Sequence, residues 1–408
     1  MDFTTKVLHN PYAKEDAYGA LRFPTYSNAS FEFDSAEDIE NAFIGKKYAH
    51  TYSRSTNPTV DYFEKTIASV TNSQGVIGFS SGMAAISNTI FGIAQQGDEI
   101  ISSNKLFGTT YSFFKEMLPR FGITVKFIDF QDIDAIKKAI NPHTRAIFFE
   151  SISNPQIEVF SIIDIVKLAK NHGILTILDT TATPLYVCNV KELGIDISVL
   201  SSTKFISGGA TAIGGILIDL GNFDWKNNPY LEKESKQFGA YTFLRKLRIE
   251  TYRNLGACMS PDSARAFSLG LETMELRVER ACSNAQKIAE FLTNQKSVTK
   301  IRYAGLKENE FYSRSQTYFT NSGAVICFEL ASKQKCYELI NSVQLIRRAT
   351  NIHDNKTLII HPASTIYCDF TEQERISMDV QDTMIRLSVG IENCNDILFD
   401  LTQALEKL

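Results

Sequence analysis

Ile174-Leu175-Thr176-Ile177-Leu178-Asp179 is an apolar run that stops on a carboxylate. A second run, Ile195 to Leu200, leads directly into Ser201-Ser202-Thr203-Lys204-Phe205-Ile206-Ser207-Gly208-Gly209. Short runs of this kind, bounded by small or polar residues, read as buried strands. Five others accompany them: Val76–Phe79, Glu99–Ser102, Ile123–Ile128, Arg145–Phe149 and Ile213–Ile218. Helix-like or loop stretches follow most of them. The alternation predicts an α/β fold with a mostly parallel seven-stranded sheet covered on both faces. Ligands of such sheets bind beyond the carboxyl ends of the strands. Asp179, Lys204 and the Ser80-Ser81-Gly82 segment all fall at such ends.

With 408 residues the chain is long enough for two packed units. Its 44% hydrophobic and 22% charged residues are ordinary for a globular protein. A net charge of -4 gives no electrostatic case for nucleic acid or an anionic membrane. No apolar run reaches transmembrane length, and Met1-Asp2-Phe3-Thr4-Thr5-Lys6 has no signal-like apolar stretch, so a cytoplasmic protein is expected. The seven cysteines are scattered without a CxxC, and the six histidines without HxxxH spacing. Reduced thiols and no bound metal are the expectation.

Residues 1 to about 60 are polar, aromatic-rich and weakly periodic, as an arm that orders against a neighbouring subunit would be. Residues 61–255 contain the strand alternation. Beyond 256 the pattern changes to a smaller C-terminal α/β unit running to 408. Pro261 opens a long helix with Leu271, Met274, Val278, Ala281, Ala285, Ile288 and Leu292 on one face. Strands follow near 298–303, 323–330 and 384–389, and Thr371-Glu372-Gln373-Glu374 is a capping box.

A lysine at a strand end is usually a surface residue. Lys204, however, stands among small hydroxyl and glycine residues, 25 positions after Asp179. A lysine amine can form a Schiff base with pyridoxal phosphate, and an aspartate at a strand end can keep the pyridine nitrogen protonated. Gly78 to Ala85 leaves a strand and opens a helix, whose first amides can bind a phosphate. Arg386, in Met384-Ile-Arg-Leu-Ser388, suits a substrate carboxylate. Tyr52-Ser-Arg54 reads as a turn before a helix, or as a pair serving a phosphate held by another subunit. Ser201 to Lys204 also fits the SxxK of serine acyl enzymes, but the SDN and KTG that accompany it are missing.

Taken together, the segments YSRSTNPT (52–59), SSGMAA (80–85), ESISNP (150–155), ILDTTATP (177–184), SSTKFISGG (201–209), GLETMELRVERACSNA (270–285), HPAS (361–364) and IRLSVGIE (385–392) resemble the Cys/Met-metabolism family of fold-type I pyridoxal-phosphate enzymes. The resemblance spans nearly the whole chain. It implies that Lys204 carries the cofactor and shuttles protons, and that Asp179 pairs with the pyridine nitrogen. Gly82 and Met83 (through their backbone), Ser201 and Thr203 would hold the phosphate. Tyr52 and Arg54 would reach a neighbouring subunit's phosphate, in a homotetramer built as a dimer of dimers. Asn154 would contact the ring hydroxyl, and Phe107 would stack on the ring. Arg386, helped by Asn351, would clamp the carboxylate of an amino-acid substrate.

Within the family, the loop Ser207 to Gly215, the segment Arg253 to Pro261 and Thr350-Asn351-Ile352-His353-Asp354 are similar to O-acetylhomoserine sulfhydrylases. Cystathionine enzymes tend to carry a glutamate where Thr350 stands. Three positions depart from the family. Phe107 replaces a tyrosine, Thr109 stands where many methionine γ-lyases have a cysteine, and His353 replaces a glycine. The resemblance therefore implies γ-replacement on O-acetylhomoserine with sulfide or a thiol, with methionine γ-lyase or cystathionine-type chemistry as the alternative.

Overall fold

The computed structural model describes residues 1–10 and 18–408. Residues 11–17, part of the expected arm, lie outside the described residues. All seven expected runs form strands of one sheet: β1 (Gly75–Phe79), β2 (Glu99–Ser103), β3 (Thr124–Ile128), β4 (Thr144–Glu150), β5 (Leu175–Asp179), β6 (Ile197–Leu200) and β7 (Gly215–Asp219). Their order is β1-β7-β6-β5-β4-β2-β3. Only β7 runs against the others, pairing antiparallel with β1 and β6.

Alternate residues of these strands enter two separate apolar cores. Ile147, Phe149, Leu178, Leu200 and Ile216 belong to one; Ala146, Phe148, Ile177, Val199 and Leu217 belong to the other. That is period-two geometry with both faces buried, so both phases of the strand must be apolar. Polar chemistry is thereby left to the strand ends.

A second sheet has the order β10-β11-β12-β9-β8. Its strands are β8 (Lys300–Arg302), β9 (Val325–Glu329), β10 (Arg347–Arg348), β11 (Leu358–Ile360) and β12 (Met384–Ser388). The expected strands became β8, β9 and β12. β10 and β11 were not expected, because two or three residues carry too little alternation to read. The capping box at Thr371 forms, with both the Thr371 and Glu374 side chains engaged.

The long helix from Pro261 is in fact two, Pro261–Glu272 and Met274–Thr293, broken at Thr273. Arg277 explains the break. Its guanidinium donates to the carbonyl of Gly270 at 2.6 Å and to that of Phe205 at 2.7 Å. A side chain thus takes a carbonyl that helix continuation would have used, and ties the turn after Lys204 to this helix pair.

Close backbone approach brings the strand ends together. A Cβ on Gly215 would collide with the carbonyl oxygen of Ser81 and lie 2.7 Å from Cα of Gly82. Neither contact is a flexible side-chain tip. Gly215→Ala is expected to cost about 1–3 kcal/mol of stability through overpacking. It should also weaken cofactor binding by moving β7 away from the helix that starts at Gly82. Thermal unfolding and a cofactor titration of the variant check both effects.

Candidate active site

Lys204 and Asp179 meet in a cavity of about 390 Å3 at the carboxyl ends of β4, β5 and β6. Gly82, Met83, Phe107, Asn154, Ser201, Thr203, Asn351 and Arg386 also line it. Ten of the twelve expected site residues therefore converge there, from segments up to 304 positions apart. Tyr52 and Arg54 do not line it. The Tyr52 side chain is exposed, and Arg54 lies against its ring at 5.6 Å while donating to the carbonyl of Arg253 at 2.6 Å. A larger depression of about 820 Å3, lined by residues such as Glu290 and Glu308, shares no residue with this cavity.

Lys204 ends the short Ser201–Lys204 turn with a φ of -83° and ψ of -127°. Its Nζ donates to Asn351 Oδ1 at 2.6 Å. Burial and, next, the nearby charge of Arg386 pull its pKa down to about 8; Asp179 and Asp354 oppose this. A lysine so placed sheds its proton readily and becomes a nucleophile. Asp179 is the last residue of β5, and Thr181 grips its Oδ1 through the backbone N–H at 2.9 Å and the hydroxyl at 2.6 Å. Burial raises the Asp179 pKa, while the Thr181 bonds and Lys204 lower it.

Arg386 is buried in the middle of β12. Nη1 donates to Asn154 Oδ1 at 3.1 Å, and Nη2 to the carbonyls of Thr350 at 2.9 Å and Asn351 at 3.3 Å. Its Nε is buried without a partner. Burial pulls its pKa down to about 10. Among the described residues no carboxylate forms an ion pair with it. A buried guanidinium held only by neutral oxygens is prepared to take an incoming carboxylate.

The anion cradle begins at the helix Gly82–Ile93. Ser81 caps it by accepting from the N–H of Ala84 at 3.0 Å, which leaves the amides of Gly82 and Met83 without intrahelical acceptors. A Cβ at Gly82 would stand 2.9 Å from Cβ of Ser201, so only glycine lets the helix start approach that residue so closely. The Thr203 hydroxyl is engaged with Gly214, accepting from its N–H at 3.1 Å and donating to its carbonyl at 3.2 Å. A half-buried amine, a carboxylate at a strand end and a helix N-terminus thus surround one cavity. That donor set fits pyridoxal phosphate.

Sequence reasoning assigned no part to three residues at or near the cavity. Glu150 lines the cavity, accepts from two backbone amides and lies beside Asp179. It ends an apolar run just as Asp179 does, and that signal could have found it. Thr181 organises Asp179 and also accepts from the N–H of Ser201 at 2.9 Å. His353 is buried at a φ of 56°, the left-handed region that favours glycine. Its ring stacks on Phe205 at 4.0 Å, and neither ring nitrogen has a hydrogen-bond partner. Burial, with Lys204 and Arg386 nearby, pushes its pKa down to about 3. Of the other departures, Thr350 lines the cavity whereas Thr109 is exposed and does not.

Fold and cavity together define a fold-type I pyridoxal-phosphate enzyme. The chain belongs to the Cys/Met metabolism PLP-dependent enzyme family, whose model matches residues 4–406. It is 33% identical to L-methionine gamma-lyase of Pseudomonas putida, covering 99% of this chain and 97% of that one. An O-acetylhomoserine sulfhydrylase structure from Wolinella succinogenes is 42% identical with a TM-score of 0.78, covering 86% of this chain and 98% of that chain. A structure from Campylobacter jejuni, described as an O-acetylhomoserine (thiol)-lyase, superimposes over the full length of both chains with a TM-score of 0.93 at 32% identity. It carries a pyridoxyl-modified lysine at position 205 of that chain. Sulfhydrylases and methionine lyases thus both stand among the relatives.

Two pH effects are expected. In the cofactor-free protein, acylation of Lys204 should rise with pH around a midpoint near 8, readable by peptide mass after a brief pulse of reagent. His353 is depressed in the folded state, so between pH 6.5 and 3 the unfolded chain binds the extra proton and stability falls as pH falls. At pH 5 this amounts to about 2 kcal/mol. His353→Asn, which tolerates the same backbone conformation, should flatten the loss of urea resistance between pH 7 and 5.

Proposed function

We propose that this enzyme catalyses γ-replacement on O-acetyl-L-homoserine, with sulfide or a thiol as the incoming group. The observation that carries the reading is the cavity wall formed by Phe107 and Thr350. Phe107 offers a ring face and no proton, so this wall gives the leaving group no acid. Acetate departs without one far more easily than a thiolate. Thr350 offers no charge to an amine at the far end of a longer substrate, unlike the glutamate of cystathionine enzymes. The 42% identity to the Wolinella sulfhydrylase supports the same choice.

The residues divide the work by position. Arg386 binds the substrate carboxylate and, with Asn351 and Asn154 around it, orients Cα toward Lys204. When bound, pyridoxal phosphate supplies a sink for the electrons left at Cα. Asp179, held by Thr181, keeps a negative charge at the end of that sink. Lys204 Nζ takes the proton from Cα, hands it on within the cavity so that it is a free base again, and then takes one from Cβ. Acetate leaves Cγ with its bonding pair, the thiolate sulfur bonds to the same carbon, and Lys204 returns protons to Cβ and Cα. Gly82, Met83, Ser201 and Thr203 hold the phosphate. In the same reading the protein is a cytoplasmic homotetramer built as a dimer of dimers, with an arm (1–60), a cofactor-binding part (61–255) and a C-terminal part (256–408). Tyr52 and Arg54, on the outside of this chain, serve the neighbouring subunit's phosphate.

The second reading is elimination from methionine, favoured by the 33% identity to the Pseudomonas lyase. A substrate panel scored by product mass decides between them. O-acetylhomoserine with sulfide should give homocysteine faster than methionine alone gives a keto acid; the reverse order would reject γ-replacement as the main activity. Borohydride reduction should place the cofactor on Lys204. Arg386→Leu should raise KM for the amino acid by about 10–100-fold, the value of a lost charged hydrogen-bond pair.

A further inference from the structure

Glu150 and Asp179 end neighbouring parallel strands and are register partners. Asp179 faces the cavity with Lys204 nearby, as the mechanism requires. Glu150 has no such duty, yet it is a buried carboxyl group with no ion-pair partner among the described residues. Its two oxygens are both used. Oε1 accepts from the N–H of Phe107 at 2.7 Å, and Oε2 from the N–H of Asn154 at 3.1 Å.

Phe107 and Asn154 belong to separate segments, one after β2 and one after β4, and both line the cavity. Their neighbouring carbonyls are gripped from the opposite side. The Tyr367 hydroxyl lies 2.6 Å from the carbonyl oxygen of Leu106 and 3.0 Å from that of Asn154. The Asn154 side chain in turn accepts from Arg386. One carboxyl group therefore sits at the start of a chain of contacts that ends on the guanidinium.

We propose that Glu150 is a positioning residue that clamps the Phe107 and Asn154 walls of the cavity, and thereby sets both the seat of the cofactor ring and the aim of Arg386. Only a carboxyl group supplies two acceptor oxygens to two converging amides. A glutamine supplies one and confronts the other amide with an NH2 group. An aspartate keeps both oxygens but is one methylene too short to span the same pair. Burial, and then the charge of Asp179, push the Glu150 pKa well above the usual carboxylate range. The amides of Phe107 and Asn154 pull the other way, so the clamp itself is what steadies this carboxyl group beside Asp179.

This inference rests on the cavity being the cofactor site, but not on which sulfur reaction follows. The test uses the holoenzyme and its Glu150→Gln variant. Visible circular dichroism reports the seating of the ring, a cofactor titration reports affinity, and KM for the amino acid reports the aim of Arg386. The variant should show an altered visible dichroic band, with cofactor affinity weakened and KM raised by about tenfold each, the size of one lost buried hydrogen bond. The melting midpoint of the cofactor-free variant should stay close to that of the parent. An unchanged dichroic band and KM would overturn the proposal, as would changes that merely track a loss of cofactor-free stability. If Glu150→Gln does not fold, Glu150→Asp replaces it. The same shifts are expected there, because the shorter side chain cannot reach both amides, and parent-like dichroism and KM in that folded variant would equally overturn it. Methionine elimination outpacing sulfur transfer would reject the proposed reaction and leave these outcomes untouched.

Discussion

Burial of both faces of the seven-stranded sheet is the constraint on which the rest depends. Ile147 and Phe149 enter one core while Ala146 and Phe148 enter the other. No charged group can sit within such a strand without losing its hydration. The carboxylates are therefore pushed to the last residue, Glu150 on β4 and Asp179 on β5, and the amine to the turn after β6. Because these strands run parallel, their ends lie side by side, and ionic chemistry gathers along one edge.

Charges gathered at that edge compete. Asp179 holds two hydrogen bonds from Thr181 and the field of Lys204, whereas Glu150 holds only two backbone amides and meets the charge of Asp179. Lys204 and Arg386 both sit in poor solvent: burial loosens the hold of each on its proton, and the charge of Arg386 loosens that of Lys204 further. A site with a readily deprotonated lysine and an unpaired guanidinium is costly to keep. The interlocked supports around it offset that cost: Arg277 bracing the turn after Lys204, Tyr367 bracing the walls, and His353 packed flat on Phe205.

Much of this was legible beforehand. Seven apolar runs became seven strands because strands covered on both faces are mostly apolar, the few buried hydroxyls such as Thr176 and Ser198 being hydrogen-bonded. Asp179 was legible because it ends such a run, and Lys204 because it follows one among small hydroxyl and glycine residues. Glu150 breaks its run in the same way, yet it stood inside a motif read only for Asn154. The helix break at Thr273 was not legible, because Arg277 reaches back to Gly270 and Phe205 through contacts that periodicity does not encode. β10 and β11 were too short to alternate. His353 was an oddity in the sequence. Its positive φ gives the physical reason a glycine would serve at that position, and its stacking on Phe205 accounts for what the ring gains there.

The sequence by itself determined the layered α/β architecture, the strand-end location of the site and the type of chemistry, because each depends on local hydrophobic pattern and residue type. Tertiary structure decided which of those residues meet. Arg386 and Lys204 are 182 positions apart in sequence, and only the folded chain, with Arg386 bonded to Asn154 just after β4, puts them in one cavity. It also decided which way each group's proton affinity moves, since the lowered lysine, the raised Glu150 and the lowered His353 follow from burial and neighbours that no local stretch of chain specifies.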